Sequence, residues 1–417
     1  MAHAGNNMMQ VKRNNRSAAL HLLHEEGSMS RKRLAENLGL TPAAITKIVG
    51  EMMGEGLLRE GSAVPSGNAG RREILVEMNP HCACALGVLI NLRQAILSAV
   101  WLDGTVIFAD EAELPLRADA ESTVSMLSEK LLSLLDSSGI PKDRVAGLGI
   151  AVRGICSSDG RSVVDSFGAL SEGSFPLCEA FERLTGFRST MANNVRALFA
   201  AQMFLSHDSA GGAQFFLRCE YGIGAALSID GQIWHGVTEQ CAEIGHIPVI
   251  SRGGKPCSCG KSGCLETIAS PMAICEDALS AFSETATPVL WNRCGRKKPA
   301  RLSLGEVLEA AASGDEGVGE IIDHAVKALG TALKAVIYLI DPGKIVLYGQ
   351  MFDNAYYLSR LLSEMQEGVD TRHNAVIERS SYNHKLETKA APLLAVEAFF
   401  STGGLIRPQR TAGTGGE

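Results

Sequence analysis

A histidine and three cysteines constrain this chain more than any other feature. Cys257-Ser258-Cys259-Gly260-Lys261-Ser262-Gly263-Cys264 places three thiols within eight residues, and His246 lies eleven positions before the first of them. The interleaved glycines permit the tight backbone curvature that converging sulfurs need. Three thiolates and one imidazole fill all four positions of a tetrahedral Zn site, leaving none for water or substrate. The spacing therefore predicts a structural Zn held by His246, Cys257, Cys259 and Cys264, with unliganded reduced thiols in a loop as the plainer alternative. The chain has 11 cysteines in all, an odd number with no secretory signal, which argues against a disulfide framework. Cys82-Ala83-Cys84 is a lone C-x-C at a strand entrance, and Cys156, Cys178, Cys219, Cys241, Cys275 and Cys294 read as small core side chains.

Around this knot the sequence has the pattern of an α/β protein built twice. Ala85 to Asp110 reads as strand, strand, Asp103-Gly104 turn, strand, and Phe215 to Gly236 reads the same way around Asp230-Gly231. Each is followed by helical stretches and a buried strand, Val145 to Val152 in the first half and Lys344 to Tyr348 in the second. A weak internal repeat of this kind predicts two similar lobes around a cleft, or else one doubly wound domain in which the turns recur by chance.

The N-terminus is different in both charge and periodicity. Residues 1–72 hold ten Lys/Arg against six Asp/Glu, a net of +4, so the rest of a chain of net −7 carries −7 − 4 = −11. A first helix is expected around Ser17 to Glu25 and a second from Ser30, ended by Gly39-Leu40. Thr41 then stands as an N-cap before Pro42, and Ile45, Ile48, Val49, Met52 and Met53 form the buried stripe of a third helix. Ala43, Ala44, Thr46 and Lys47 are left on its outer face, short side chains that let a helix approach base edges while Lys47 reaches phosphate. A strand at Leu57 to Glu60, a loop from Gly61 to Gly70 and a strand at Glu73 to Glu77 complete a hairpin wing. Arg71-Arg72 at its far end suits a minor groove. Ser30 and Arg31, at the start of the second helix, join the expected DNA contacts, and a module for protein contacts is the alternative.

The 46% hydrophobic and 20% charged composition is that of folded globular proteins. The longest apolar run, Ala328 to Ile340, is interrupted by Lys334 and too short for a bilayer. No membrane insertion and a cytoplasmic location are expected.

Over essentially its whole length the chain resembles the ROK family of repressors and sugar kinases, within it the NagC/Mlc-like and XylR-like repressors. The carriers are Glu243-Ile244-Gly245-His246, then Cys257-x-Cys259-Gly260-x-x-Gly263-Cys264-Leu265-Glu266, and the N-terminal winged helix-turn-helix. The resemblance implies an α/β fold: an N-terminal winged helix-turn-helix followed by a two-lobed, actin-like (ribonuclease H-like) sugar-kinase fold. The corresponding domains are 1–72 for the DNA-binding head and wing, 73–84 for a linker strand, 85–205 and 206–390 for the two lobes, the second with the zinc loop, and 391–417 for a C-terminal helix packing back on the first lobe and a flexible tail.

The same resemblance implies a sugar site lined by Asn193, Glu243, His246 and Glu266, with Asn194 where kinases of the family place a catalytic Asp. The alternative is that Glu243 and Glu266 only brace the zinc loop. The kinase chemistry itself is eroded. The first phosphate loop falls at Gly87-Val88-Leu89-Ile90-Asn91-Leu92, which lacks the paired glycines and Thr. A carboxamide at 194 cannot take a proton as general base. The second loop, Glu220-Tyr221-Gly222-Ile223-Gly224-Ala225, puts a carboxylate where phosphate would bind. These departures point to a non-enzymatic regulator that binds operator DNA, as a homodimer or dimer of dimers. Its expected effector is a sugar or sugar phosphate. A phosphotransferase-system protein as partner, or an ATP-dependent sugar kinase with an accessory head, are the alternatives.

Overall fold

The computed structural model describes residues 8–65, 72–171, 173–207, 211–367 and 373–405. They fall into two compact units, Met1–Ser209 with Lys385–Glu417, and Ala210–His384.

In the head of the first unit, α1 (Met8–Glu26) buries Ala19, Leu20 and Leu23. It starts nine residues before the helix expected at Ser17, because its first turns are held by polar contacts that hydrophobic spacing does not register: Lys12 pairs with Glu51 at 2.7 Å, and Arg16 is buried. A short strand β1 (Met29–Ser30) leads into α2 (Arg31–Leu38), which is capped by the Ser30 hydroxyl and ended by Gly39 at φ 62°. There the left-handed conformation favours glycine. Thr41 caps α3 (Pro42–Gly54), accepting from the Ala44 N–H at 3.3 Å, with Pro42 at the first helical position. The wing pairs β2 (Leu58–Pro65) antiparallel with β3 (Arg72–Met78), and β3 also pairs with β1. β2 runs on to Pro65, past the Gly61 where a loop was expected, because a register shift between Glu60 and Ala63 absorbs Gly61-Ser62. Arg71 and the tail beyond 405 lie outside the described residues, and Arg72 opens β3.

The body of the first unit is one sheet. β4 (Cys84–Ile90), β5 (Gln94–Trp101) and β6 (Val106–Glu113) form an antiparallel meander. After α4 (Ala120–Ser138), β7 (Val145–Val152) joins parallel to β4. A small hairpin of β8 (Ile155–Cys156) and β9 (Val163–Asp165) and then α5 (Leu177–Thr185) precede β10 (Ser189–Asn193), which is parallel to β7 and runs into α6 (Asn194–Ser206). The order is β10-β7-β4-β5-β6. Every residue of β4 is buried, since α4 and α5 lie over one face and the chain's last helix over the other; hence its uninterrupted apolar run.

The second unit repeats that plan. β11 (Ala213–Cys219), β12 (Ile223–Ile229) and β13 (Gln232–Ile233) are antiparallel. The loop of Cys257, Cys259 and Cys264 follows, then α7 (Glu266–Ala269), α8 (Pro271–Ala281), α9 (Pro288–Arg293), α10 (Leu304–Ala312) and α11 (Glu316–Ile340). β14 (Lys344–Tyr348) joins parallel to β11, and after α12 (Ala355–Gln366), β15 (Val376–Arg379) joins parallel to β14. The order β13-β12-β11-β14-β15 matches the first sheet strand for strand, three antiparallel and two parallel. This is the duplicated, actin-like arrangement, not a single doubly wound sheet.

The final helix, α13 (Glu387–Ser401), belongs to the first unit and lies on β4, β7 and α6. Close approach explains two glycines there. A Cβ on Gly87 would stand 2.1 Å from Pro392 Cδ, and one on Gly149 would stand 1.7 Å from the Ala391 carbonyl oxygen. Among the described residues no helix is long and apolar enough to cross a membrane.

Candidate functional site

The outer face of α3 is short and nearly without polar base-reading groups. Pro42, Ala43, Thr46 and Lys47 are exposed and Ala44 is half-buried, while Ile45, Ile48, Val49 and Met52 face the core of the head. The Thr41 hydroxyl is engaged by the cap, and the Thr46 hydroxyl donates to the Pro42 carbonyl at 2.7 Å. What remains to present is methyl groups and the Lys47 ammonium. The structure thus brings Thr41 to Lys47 onto one surface. It does not bring Ser30 there: Ser30 is buried, its hydroxyl accepting from the Arg33 N–H at 3.3 Å, because a residue that caps α2 and pairs in β1 must face inward. Arg31 is partly exposed and turns toward Glu60 at 3.5 Å and Met53 Sδ at 3.4 Å. Of the wing arginines, Arg72 is placed only by its backbone in β3.

The predicted metal ligands converge in the second unit. His246 sits on a single 3₁₀ turn, Ile244–His246, and the three cysteines on the loop that ends at α7. Their ligand atoms all lie within 4.8 Å of one another, the one such group among the described residues. His246 Nδ1 is 3.5 Å from Cys257 Sγ, and Cys259 Sγ is 3.6 Å from Cys264 Sγ. Zn–S and Zn–N bonds at tetrahedral angles require S···S and N···S separations of about 3.8 and 3.6 Å, so the donor set fits Zn. The loop is held by backbone bonds from Cys257 N to the Lys261 carbonyl at 2.8 Å and from Gly260 N to the Cys257 carbonyl at 3.0 Å.

The residues expected around a sugar fall on both units, Asn193 and Asn194 on the first and Glu243, His246 and Glu266 on the second. Asn193 is the N-cap of α6: its Oδ1 accepts from the Val195 and Arg196 N–H groups, and its Nδ2 donates to the Gly154 carbonyl at 2.7 Å. Asn194 is buried and donates through Nδ2 to Asn91 Oδ1 at 3.2 Å. Asn91, within the Gly87–Leu92 segment, was missed as a partner by sequence reasoning. Only its distance to Asn194 in the fold, across 103 residues of chain, reveals it. Gly87, at the head of that segment, lies mid-strand against α13 rather than in a turn.

Glu243 is half-buried before the turn that carries His246. Glu266, first residue of α7, accepts from the Ile223 N–H at 2.9 Å, and its Oε2 stands 2.2 Å from where a Cβ on Gly222 would be. The glycine of the second loop therefore makes room for a carboxylate. Glu220 accepts through Oε1 from the Gln350 N–H at 3.3 Å, tying the same turn to the segment after β14. Burial pushes the adjacent Cys219 thiol up, and the Glu220 carboxylate adds to the shift. Backbone N–H groups at Ile223 and Gln350 thus already face anionic oxygens.

A winged helix-turn-helix joined to a duplicated actin-like body, with a Cys/His cluster that could hold a metal, defines the class of protein. The chain belongs to the ROK family, whose model matches residues 105–393, and a winged helix-turn-helix DNA-binding model matches residues 13–59. It is 25% identical over 393 residues to the DNA-binding transcriptional dual regulator NagC of Escherichia coli strain K12, covering 91% of each chain. With the DNA-binding transcriptional repressor Mlc of the same strain it is 26% identical over 406 residues, covering 95% of this chain and 96% of that one. Among solved structures, a ROK family transcriptional regulator described as a homologue of E. coli Mlc superposes with TM-score 0.79 at 22% identity, over 94% of this chain and 98% of that one. A ROK family glucokinase from Streptomyces griseus superposes with TM-score 0.62 at 20% identity, over 75% of this chain and 99% of that one. The kinase match leaves a quarter of the chain uncovered; the regulator match leaves almost none.

Proposed function

We propose that this protein is a sugar-responsive transcriptional regulator, a repressor of carbohydrate uptake or catabolism genes, whose kinase-like body binds an effector without transferring phosphate. The observation that carries this reading is the head itself, present in the regulators matched over nine-tenths of their length. Asn194 supports the loss of catalysis. A buried amide bonded to Asn91 cannot act as the proton acceptor that a sugar hydroxyl needs during transfer. Glu220 and Glu266 support it further, since each offers charge that repels nucleotide phosphate. Asn193, Asn194, Glu243, His246 and Glu266 are proposed as the effector residues, a mixture of amides and carboxylates that matches paired hydroxyls. Thr41, Pro42, Ala43, Ala44, Thr46 and Lys47 are the proposed operator contacts, with Arg31, Arg71 and Arg72 on phosphate or minor groove.

His246, Cys257, Cys259 and Cys264 would hold a Zn that closes the loop and, through His246, orients the effector side. Sugar changes DNA affinity only if it binds two conformations unequally, and a two-fold operator calls for a dimer. A gel-shift with DNA upstream of the gene, across hexoses, N-acetylhexosamines, xylose and their phosphates, tests this reading. Salt-sensitive, sugar-dependent binding is the expected result, and absence of specific binding under every condition overturns it. Sugar-dependent ATP consumption lost in Asn194→Ala would replace it with the kinase reading.

A further inference from the structure

Arg16 is a guanidinium with only 2% of its side chain exposed, on a helix of the DNA-binding head. Its Nε donates to the Gly403 carbonyl at 2.8 Å, its Nη1 donates to Glu55 Oε1 at 2.8 Å, and its Nη2 donates to Glu55 Oε2. A buried guanidinium is costly unless its protons are met, and these partners come from 387 and 39 residues away in the chain. Glu55 is the residue that closes α3, its own N–H bonded to the Glu51 carbonyl. One side chain thus joins α1, the end of the DNA-facing helix and the turn that follows α13.

That turn is fitted to the head. Gly403 and Gly404 have φ of 73° and 75°, conformations that L side chains rarely adopt. A Cβ on Gly403 would stand 3.0 Å from the Arg13 carbonyl oxygen and from Arg16 Cβ, and one on Gly404 would stand 2.7 Å from Leu57 Cδ1 and 3.3 Å from Leu20 Cδ1. Farther up the same face, the His24 ring stacks on Phe204 at 3.9 Å and its Nε2–H donates to the Phe204 carbonyl at 2.9 Å, while His21 meets Phe400 edge-on at 5.6 Å. The other end of α13 is seated on the first sheet, with Pro392 against Gly87 and Ala391 against Gly149.

We infer that Arg16, Gly403 and Gly404 are positioning residues for DNA reading: they clamp the recognition helix to α13, so that the head is carried rigidly on the first sheet rather than swung on a linker. This rests on the proposal that the head reads DNA. A flexible linker would let the head adapt to many half-site spacings, whereas a clamp makes the protein impose one. Any shift of the first sheet beneath α13 then moves α3 with it.

The test uses the full chain and the duplex that wild type selects from a random-sequence pool. Wild type is expected to lose at least tenfold in affinity when two base pairs are added to or removed from the spacer. In Arg16→Met, affinity at the native spacing falls about tenfold and the spacing profile flattens to within about threefold. Arg16→Lys retains the charge but not the three-point geometry and falls between them. Glu55→Gln keeps one acceptor oxygen for Arg16 and turns an amide N–H toward its other Nη, and serves as a second release from the half-exposed side of the clamp. Unchanged affinity and an unchanged spacing profile in Arg16→Met and Gly404→Val overturn the clamp. Should wild type bind no DNA, the functional reading fails first. Hydrogen exchange then judges the clamp alone: faster exchange of α1, α3 and residues 395–405 in Arg16→Met supports it, and identical exchange removes it.

Discussion

The two units share one strand order, and each is completed by a different device. The first sheet is covered by α13, whose backbone approaches so closely that Gly87 and Gly149 have no room for a Cβ. The second carries the loop of His246, Cys257, Cys259 and Cys264, whose donors suit a metal. The segments expected as phosphate loops differ in the same way. In the first unit, Gly87 lies mid-strand against α13. In the second, Gly222 remains, but to admit the Glu266 carboxylate. A retained glycine is therefore evidence of close approach, and only the structure says by what.

The largest expected effect separates the two devices. Stripping Zn, or Cys264→Ser, should unfold the second unit or lower its melting transition sharply, since structural Zn contributes about 10 kcal/mol in small metal-folded domains. Exchange in the first unit should stay unchanged. Metal content well below one Zn per chain in unstripped protein would end the comparison at once.

Gly149→Ala probes the other device. Its Cβ meets backbone, the Ala391 carbonyl, so α13 must lift, and denaturant titration should show a loss of about 3 kcal/mol or more in the first unit alone. Acid acts on the same unit. Burial holds His24 down to about 4 from its ordinary 6.5, the bond to the Phe204 carbonyl offsetting this in part, with His207 and His21 lowering it further and Asp103 raising it. The unfolded chain binds more protons between those values, so the contribution is complete above about pH 6.5 and is lost as pH falls toward 4, by about 3 kcal/mol at most. His24→Gln should flatten that limb of a stability–pH curve, and an unaltered limb would remove His24 from the account.

Gly222→Ala is milder, because the atom it meets ends a flexible side chain. Glu266 should swing away, leaving the Ile223 N–H without its acceptor, at a cost of about 1–2 kcal/mol. Affinity for an effector sugar should fall with it, as read by thermal shift across a sugar panel. The smallest change is expected from Asn194→Asp: restoring a carboxylate without either phosphate cradle should leave ATP turnover at background, and sugar-dependent turnover would show that the loops are competent after all.

What was legible in the sequence was local chemistry. Thr41-Pro42 announces a helix start, Asp103-Gly104 and Asp230-Gly231 announce hairpins, and the cysteine spacing announces its own convergence. Distant contacts left no such mark. Arg16 looked like one more basic residue of a charged head, and nothing near Gly403 in the sequence points to it. Asn91 showed only as one residue of the Gly87–Leu92 segment, not as the partner of Asn194. Ser30 was read as the start of a helix and a DNA contact, and its burial as the cap of α2 turns it inward. The early start of α1 was hidden because a helix held by Lys12–Glu51 and a buried arginine has little apolar periodicity there.

The first unit takes its last helix from the end of the chain, and synthesis proceeds from the other end. β4 leaves the ribosome roughly 300 residues before α13, which at 5–20 residues per second is a wait of roughly 15–60 s. Throughout it, one face of β4 and β7 is without its cover, while the intervening second unit, Ala210–His384, is still being made. The nascent chain thus holds its first sheet half-covered for as long as the second unit takes to be made, and the head gains its seat only when α13 follows.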